Sequence, residues 1–260
     1  MRKVITCISI EAKKFFRSKI PLITMAVLML IPFIGGFFMF ILKDPDLAER
    51  LGFISAKAQI MGTADWPSYL SLLSQAISIG GLLAFGFVAS WVFGREYSDR
   101  AIGDLLALPI SRAAIVVSKF IVIVLWCLAL SIFVLILGLI VGYMVDIPGI
   151  SLDLLIKGIR TYIICSLLTI LLSTPVGFFA SYGHGYLSPL GFIVISLILA
   201  QIIAAIGYGE FFPWSVPALV AIGVENGEPM VSTTSIMIVL LTSALGLVST
   251  IFWWRYADQN

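Results

Sequence analysis

The sequence predicts an all-α protein that crosses a membrane six times. Of its 260 residues, 60% are hydrophobic and 12% are charged, and the mean hydropathy is +1.11. A soluble domain of this length could not bury so much apolar surface. Six apolar stretches are long enough to cross about 30 Å of hydrocarbon as helices. They are residues 20–42, 68–94, 114–143, 154–180, 189–208 and 233–254, and we expect them to form one membrane domain over residues 1–260.

The first 19 residues predict an amphipathic helix on the membrane surface. They hold six basic residues against a single acid, Glu11, and apolar residues recur among them at near-helical spacing. A basic amphipathic helix of this kind is typical of one that lies on an anionic cytoplasmic membrane surface. The side chains expected to matter most in this interfacial helix are Lys13, Lys14, Phe15 and Arg17.

Proline and small residues predict details of the spans. Pro32 is expected to kink the first span, and Pro175 to interrupt the fourth. The second and third spans carry small residues four positions apart, a spacing that lets helices approach closely. We expect this packing to be within the chain, although a seam between two chains is an alternative. Residues 43–67 form a polar loop that is expected to hold one short helix and to end at an interfacial anchor, Trp66.

Residues 209–232, between the last two spans, predict a hairpin that does not cross the membrane. Its apolar part, residues 216–224, is too short to span. Ser215 is expected to cap a short helix that has Pro217 in its first turn. We therefore expect an interfacial or re-entrant hairpin on the far side of the membrane.

Residues 95–113 predict an aqueous connector between the second and third spans, because charged residues gather there. Four residues follow the spacing of one helical face, and Glu96 precedes Arg100 by four positions off that face. Pro109 should end this short helix, and Ser111 should cap the next one. A plain solvated loop helix is the alternative interpretation. The four residues of the face are Tyr97, Ala101, Leu105 and Leu108.

The order of residues in this connector resembles the loop between the second and third spans of type-2 ABC transporter permeases. An acid follows an apolar span, then come a basic residue four positions on, a Leu-Leu pair, Pro-x-Ser-Arg, and a Lys seven positions later. A departure is Ala101-Ile102, where many members carry Thr-Ile. The matching residues are Glu96, Arg100, Leu105, Leu106, Pro109, Ser111, Arg112 and Lys119.

The resemblance implies a permease subunit of an ATP-driven exporter. In that family the connector is a coupling helix that docks on a cytoplasmic ATPase subunit, and the interfacial helix also helps to hold the ATPase. Two permease copies, or two similar chains, would assemble with two copies of the ATPase, which binds ATP and Mg. The expected coupling residues are Glu96, Tyr97, Arg100, Ala101, Leu105, Leu108 and Arg112.

Several other functions are disfavoured by missing residues. The chain has no Gly-x-x-x-x-Gly-Lys-Ser/Thr loop, so it is not expected to bind ATP or another cofactor itself. Its single histidine, His184, lies in a loop, and no span holds the paired groups of a hydrolase or a metal site. Cys7, Cys127 and Cys165 are expected to be small buried residues. The net charge of +2 does not suggest nucleic acid.

Two alternatives to an ABC permease stay open from the sequence. An ion- or proton-coupled carrier would usually place an ionisable residue near the middle of a span, and no span does. A membrane protein that confers immunity or acts as a scaffold without transport is the other alternative.

The distribution of basic residues predicts that both chain ends are cytoplasmic. With the amino terminus inside, eleven basic residues lie on the inner side and five on the outer side. We therefore expect a multi-pass protein of a prokaryotic cytoplasmic membrane. On the outer side, Lys157 and Arg160 fall in the first turns of the fourth span, where they either snorkel to the headgroups or bind an anion.

The substrate pathway is the least determined part of the sequence. The spans offer aliphatic and aromatic walls with a few polar side chains, which suits an amphipathic peptide, an antibiotic or a lipid-like substrate better than a small ion. The residues expected along the pathway or at its outer mouth are Gln75, Ser78, Gln201, Phe211, Phe212 and Trp214.

Overall fold

The structure, a computed structural model, describes residues 2–44, 63–100, 102–103, 110–225 and 232–256. Within these ranges the regular elements are helices, and no strand occurs. The helices are α1 (Arg2–Phe16), α2 (Ile20–Lys43), α3 (Trp66–Ser98), α4 (Arg112–Met144), α5 (Leu152–Leu172), α6 (Thr174–Tyr182), α7 (Leu187–Ala205), α8 (Val216–Glu225) and α9 (Thr233–Tyr256), with a 3-10 turn at Gly209–Phe211.

Six stretches of the described chain have the length and composition of membrane spans. They are α2, α3, α4, α5 together with α6, α7, and α9, which confirms the six spans expected from the sequence. The helix predicted within residues 43–67 lies outside the described residues. α2 runs unbroken through Pro32. The chain is therefore a multi-pass membrane protein.

The fourth span breaks where Pro175 predicts it. α5 ends at Leu172 and α6 begins at Thr174, so that the proline occupies the first turn of a new helix, where its missing N–H is not needed. The carbonyl groups freed at the break find hydroxyl donors. Ser173 Oγ donates to the carbonyl of Ile170 over 2.7 Å, and Thr174 Oγ1 donates to that of Leu171 over 2.8 Å.

α3 is the central helix of the bundle. In the most apolar window of the second and fourth spans 67% of residues are buried, against 22% in the fifth and 28% in the sixth. Tyr69 of α3 joins three helices, because its hydroxyl donates to the carbonyl of Gly138 in α4 over 3.1 Å and lies 3.3 Å from that of Pro32 in α2. The other spans expose many large apolar side chains on the outer surface of the bundle.

The small residues of the second and third spans pack within the chain, as expected. A Cβ atom on Gly138 would lie 2.6 Å from Leu73, and one on Gly86 would lie 2.4 Å from Ile193. These glycines therefore set the approach of α4 and α7 to the central helix.

Two hydrogen bonds to carboxylates hold the loops at the end of the bundle opposite α1. Lys43 donates to the carboxylate of Asp146 over 2.9 Å and so joins the end of α2 to the end of α4. The hydrogen bond and the positive charge of Lys43 lower the pKa of Asp146. Asp65 caps α3 by accepting from Ser68 N–H over 2.8 Å. Although partial burial favours its neutral form, hydrogen bonds from Thr63 and Ser68 lower the pKa of Asp65.

The segment between α7 and α9 contains the short helix α8. It packs against α3 and α5 at the same end of the bundle as Asp146. The capping role predicted for Ser215 is corrected in one respect. Its hydroxyl donates backward to the carbonyls of Gly209 and Phe212, so it closes the 3-10 turn that precedes α8.

The contact between α9 and the break in the fourth span has no room for a larger residue. A Cβ atom on Gly246 would lie 2.6 Å from the backbone nitrogen of Pro175 and 2.8 Å from its Cα. Backbone atoms cannot move aside as a flexible side chain can. We expect Gly246→Ala to destabilise the purified protein by about 1–3 kcal/mol through overpacking, measured as a lower midpoint of thermal unfolding in detergent.

Gly191 is the matched control, because it also lies within a helix and a Cβ atom there would meet nothing within 4 Å. Gly191→Ala should keep or raise the unfolding midpoint, since alanine favours helix by up to about 1 kcal/mol over glycine. Equal midpoints for the two variants would contradict the close approach of α9 to Pro175.

Candidate functional site

Lys119 lies completely buried in α4, near the end of the bundle at which α1 packs. Its ammonium group reaches three acceptors. It donates to Glu11 Oε2 over 2.9 Å, to Glu96 Oε1 over 2.9 Å and to the carbonyl of Val92 over 3.2 Å. An ammonium group has three N–H donors, so each can be used. This is how a buried charge is tolerated.

Lys14 completes the group, which we call the four-charge cluster: Glu11, Lys14, Glu96 and Lys119. Lys14 Nζ lies 3.2 Å from Glu96 Oε1 and 3.4 Å from Glu11 Oε1. Two ammonium groups therefore face two carboxylates, and the cluster has no net charge. Although partial burial disfavours its charged form, the two carboxylates raise the pKa of Lys14, so it stays charged at neutral pH.

The cluster joins three helices around the connector. Glu11 and Lys14 belong to α1, Glu96 lies in the last turn of α3 at the start of the connector, and Lys119 lies two turns into α4 just after the connector. Phe15 strengthens the same junction. It is 1% exposed and meets the rings of Trp91 in α3 and Trp126 in α4 with centroid distances of 5.8 and 5.6 Å. α1 is thus fixed to the bundle by ion pairs and aromatic packing.

Arg112 anchors the far end of the connector to the last helix. Its Nη1 atom donates to the carbonyl of Trp254 over 3.1 Å and lies 3.4 Å from that of Arg255. These carbonyls belong to the final turn of α9, where a helix lacks its own donors and favours a cation. Ser111 caps α4 by accepting from Ala114 N–H over 3.3 Å, which confirms the cap predicted there.

Tyr97 faces an aromatic group at the same end of the bundle. Its ring meets His184 edge to face at 4.9 Å, and the ring of Trp254 lies 6.3 Å away. Trp254 in turn donates from Nε1 to Ser181 Oγ over 2.8 Å. The loop after α6 and the end of α9 therefore both contact the last turn of α3.

The structure corrects the predicted start of the connector. Glu96 was expected to pair with Arg100 off a docking face, but it is buried and bonded to Lys119 and Lys14. The ion pair four residues apart is instead Arg95 with Asp99, at 3.0 Å. α3 continues to Ser98, and Arg100 has a φ of 53°, which breaks the helix there. Of the other residues in the predicted docking face, Ala101, Leu105 and Leu108 lie outside the described residues.

The residues expected in the interfacial helix divide between two surfaces of α1. Lys13 and Arg17 are exposed, whereas Phe15 is buried against the bundle and Lys14 belongs to the four-charge cluster. The face of α1 that packs on the protein therefore includes Phe15, while Phe16 and Ile5 remain on the outer surface.

Sequence analysis missed the four-charge cluster, although the sequence holds a signal for it. Glu11 falls at helical spacing between Ile8, Ala12 and Phe15, so the single acid of α1 lies on its apolar face. Lys119 is likewise the only charged residue on a buried stripe of α4 that includes Ile115 and Ile123. A lone acid and a lone base on apolar faces each require a buried partner of opposite charge.

The opposite end of the bundle holds a cleft of about 550 Å³ between α3, α5 and α8. Its polar lining includes Ser68, Ser71, Ser74, Lys157 and Thr161. Lys157 thus faces a cleft, and Arg160 is exposed outside its lining. Among the described residues, this cleft brings those polar side chains together with one cation, Lys157, and one acid, Asp65.

The six predicted pathway residues do not form a single site. Gln75 donates to Ser71 Oγ over 3.2 Å at the edge of the cleft, and Ser78 is buried and donates to the carbonyl of Ser74. Gln201 lies on the exposed face of α7. Phe212 and Trp214 contact each other at 5.4 Å, and Phe211 is exposed. None of these six residues is part of the cleft lining.

The described residues contain no group of three or more His, Cys, Asp or Glu that could hold a metal ion. Cys7, Cys127 and Cys165 are each buried and free, as expected.

The four-charge cluster predicts a strong effect for Lys119→Met. The substitution leaves two buried carboxylates facing only Lys14, and breaking a buried pair costs about 3–5 kcal/mol. We expect a clear fall in the thermal unfolding midpoint and in the amount of folded protein in the membrane. Lys13→Met is the control. It removes an exposed lysine that neighbours Lys14 in α1, and it should change stability by less than about 1 kcal/mol.

The triple variant Lys119→Met, Glu11→Gln, Glu96→Gln separates charge from shape. It removes the three buried charges together and leaves Lys14, which is partly exposed, as the only ion of the cluster. Replacing buried ions together is often neutral or stabilising, because they no longer have to be desolvated. Its unfolding midpoint should lie above that of Lys119→Met alone. A triple variant less stable than the single one would show that the carboxylates do not depend on Lys119.

Comparisons with known proteins identify the family of the chain. A model of the ABC-2 family of transporter proteins matches residues 7–202, which include most of α1, the four-charge cluster, the first four spans and most of the fifth. The chain is also 28% identical over 180 residues to the bacitracin transport permease protein BCRB of Bacillus licheniformis, covering 68% of this chain and 85% of that relative.

No solved structure matches the chain significantly. The family match extends over well more than half of the sequence, and the described residues contain six candidate membrane spans. The chain therefore belongs to the ABC-2 family of transporter proteins and is a membrane-spanning permease subunit of an ABC transporter.

Proposed function

We propose that the permease exports an amphipathic peptide, an antibiotic or a lipid-like molecule, with energy from a separate ATPase subunit. Family membership supports the transport role and a partner that binds ATP. The relative from Bacillus licheniformis is described as a bacitracin transport permease, which supports a peptide antibiotic as the substrate class. The mainly apolar walls of the spans suit such a molecule.

The four-charge cluster is the observation that carries the coupling part of the proposal. A force applied to the connector reaches α3 through Glu96 and α4 through Lys119, and Lys119 is bonded both to Glu96 and to Glu11 of α1. Arg112 passes the same force to α9. Since the ends of the connector are joined to four helices, ATPase movement would shift these helices together and would not merely bend a loop.

In this proposal the α1 end of the bundle faces the cytoplasm and both chain ends lie there. The excess of basic residues on that side supports this orientation. The connector, residues 95–113, would act as the coupling helix that docks on the ATPase, and α1 would lie along the inner membrane surface. α8 and its neighbours, residues 209–232, would form the outer re-entrant hairpin.

The proposed complex contains two permeases and two ATPase subunits. A single six-span chain has no second wall to enclose a substrate pathway. The outward faces of α2, α7 and α9 carry large apolar residues, which are available for lipid or for a second copy or similar chain. Movement of the two permeases against each other would expose the substrate alternately to the two sides of the membrane.

Cysteine labelling tests the orientation. Ser98 at the end of α3 and Ser151 before α5 are both exposed and lie at opposite ends of the bundle. The native cysteines are buried, so background labelling should be low. In intact cells a membrane-impermeant maleimide should label Ser151→Cys, and it should label Ser98→Cys only after the membrane is opened. The reverse pattern would invert the proposed topology.

Co-purification tests ATPase docking. If the helical face that includes Ala101 contacts the ATPase, Ala101→Glu places a charge in that interface without a partner, which costs several kcal/mol. The ATPase should then be lost from the purified complex, and transport should fall. Asp104→Ala is the control, because it lies off the predicted face and exposed charges contribute about 0–1 kcal/mol.

The same purification reports assembly. The unchanged chain should be recovered in a complex whose mass corresponds to two permeases and two ATPase subunits. Retention of ATPase and transport by Ala101→Glu at the level of Asp104→Ala would show that the connector is a solvated loop and not a coupling helix.

A further inference from the structure

A basic groove lies beside the four-charge cluster, between the last turn of α1 and the last turns of α3. It has a volume of about 530 Å³, within the range of ligand-binding clefts. Four of its lining side chains are cationic, and Trp91 and Ile10 supply apolar surface. The residues that line it are Ile10, Lys13, Lys14, Arg17, Ser18, Trp91 and Arg95.

The charges of this groove are only partly neutralised. Lys14 is balanced within the four-charge cluster, and Arg95 pairs with Asp99 at 3.0 Å. In the part of the chain that the structure describes, no carboxylate lies within ion-pair distance of Lys13 or Arg17. The groove therefore has an excess of two positive charges, both on exposed side chains.

Neighbouring contacts hold the groove in shape for an anion. The guanidinium of Arg95 lies over the ring of Trp91, 5.1 Å from its centroid, and Trp91 packs on Phe15. Two carbonyl groups at the end of α1 would repel an anion if they were free. That of Lys13 accepts from Arg17 N–H over 3.1 Å, and that of Phe15 accepts from Ser18 Oγ over 2.6 Å.

The position of the groove favours a lipid. It lies where α1 meets the start of the first span, and this part of the chain exposes apolar residues, among them Phe16 at 60% and Leu22 at 74%. A phosphate in the groove would thus have acyl chains beside an apolar surface. Basic pockets between helices at a membrane surface bind anionic headgroups in this way.

We propose that this groove is a binding site for the headgroup of an anionic phospholipid, with Lys13, Arg17 and Arg95 contacting the phosphate. The lipid would fill the angle between α1 and α3 and hold α1 against the bundle. The site is independent of the export substrate, and only the choice of the inner leaflet rests on the proposed orientation.

Titration of the purified full-length protein in detergent tests the site. Short-chain phosphatidylglycerol is the probe, short-chain phosphatidylcholine is the uncharged comparison, and bound lipid is counted by native mass spectrometry. The unchanged protein should retain phosphatidylglycerol in preference to phosphatidylcholine. The double variant Lys13→Gln, Arg17→Gln should bind phosphatidylglycerol about 30-fold more weakly, since each basic residue near an anionic headgroup contributes about a factor of five.

A matched control removes two positive charges from outside the groove. Arg100→Gln, Arg255→Gln takes away two arginines that are exposed and do not line the groove, and it should leave phosphatidylglycerol binding within about twofold. Equal loss in both double variants would indicate attraction by net charge alone and would overturn the site. Unfolding midpoints of both variants should match the unchanged protein, because none of the four residues is buried.

Two further outcomes identify a different occupant. Displacement of phosphatidylglycerol by inorganic phosphate at millimolar concentration would show that the groove binds a free anion and not a lipid. Unchanged lipid binding by Lys13→Gln, Arg17→Gln, together with loss of the co-purifying ATPase, would show that the groove contacts an acidic protein surface. Either result would overturn the lipid proposal without affecting the export proposal.

Discussion

The buried ammonium group of Lys119 is the constraint on which this end of the permease depends. An isolated charge in an apolar interior is too costly to persist, so its neighbours must supply acceptors. One carboxylate comes from α3 and the other from α1, a helix that the apolar length of the spans does not require. Consequently α1 cannot leave the bundle without taking away one of the two carboxylates that pair with Lys119, and a surface helix becomes part of the membrane domain.

The spans and their breaks could be predicted from sequence because their causes are local. Apolar length determines the six crossings, a proline determines the break at Pro175, and a serine before an apolar run determines the cap at Ser111. Each cause acts within a few residues of its effect. The capping role of Ser215 was wrong in detail because its hydroxyl found two carbonyls of a 3-10 turn, which spacing alone does not show.

The candidate site was harder to predict, because its contacts join distant parts of the chain. Helical spacing suggested Glu96 with Arg100, a pair that contributes about 0.2–0.5 kcal/mol on an exposed helix. Glu96 instead meets Lys119, 23 residues away, and the same lysine meets Glu11, 108 residues away. The buried ion pair is more stable than the weak local pair and forms in its place. The resemblance to ABC permeases named both Glu96 and Lys119 but not their contact, which follows only from the packing of α3 and α4 with α1.

The hydrogen bonds from Arg112 to the last turn of α9 have a consequence for how this protein is handled. They place Tyr256, the last described residue, beside the start of α4 and hence at the edge of the connector. Any fluorescent domain, affinity tag or fusion partner joined close to Tyr256 starts beside the connector, where the proposed ATPase subunit would dock. A long spacer keeps such a fusion away from the connector. With a short spacer, a fluorescent fusion becomes a proximity sensor whose signal changes when a subunit binds there.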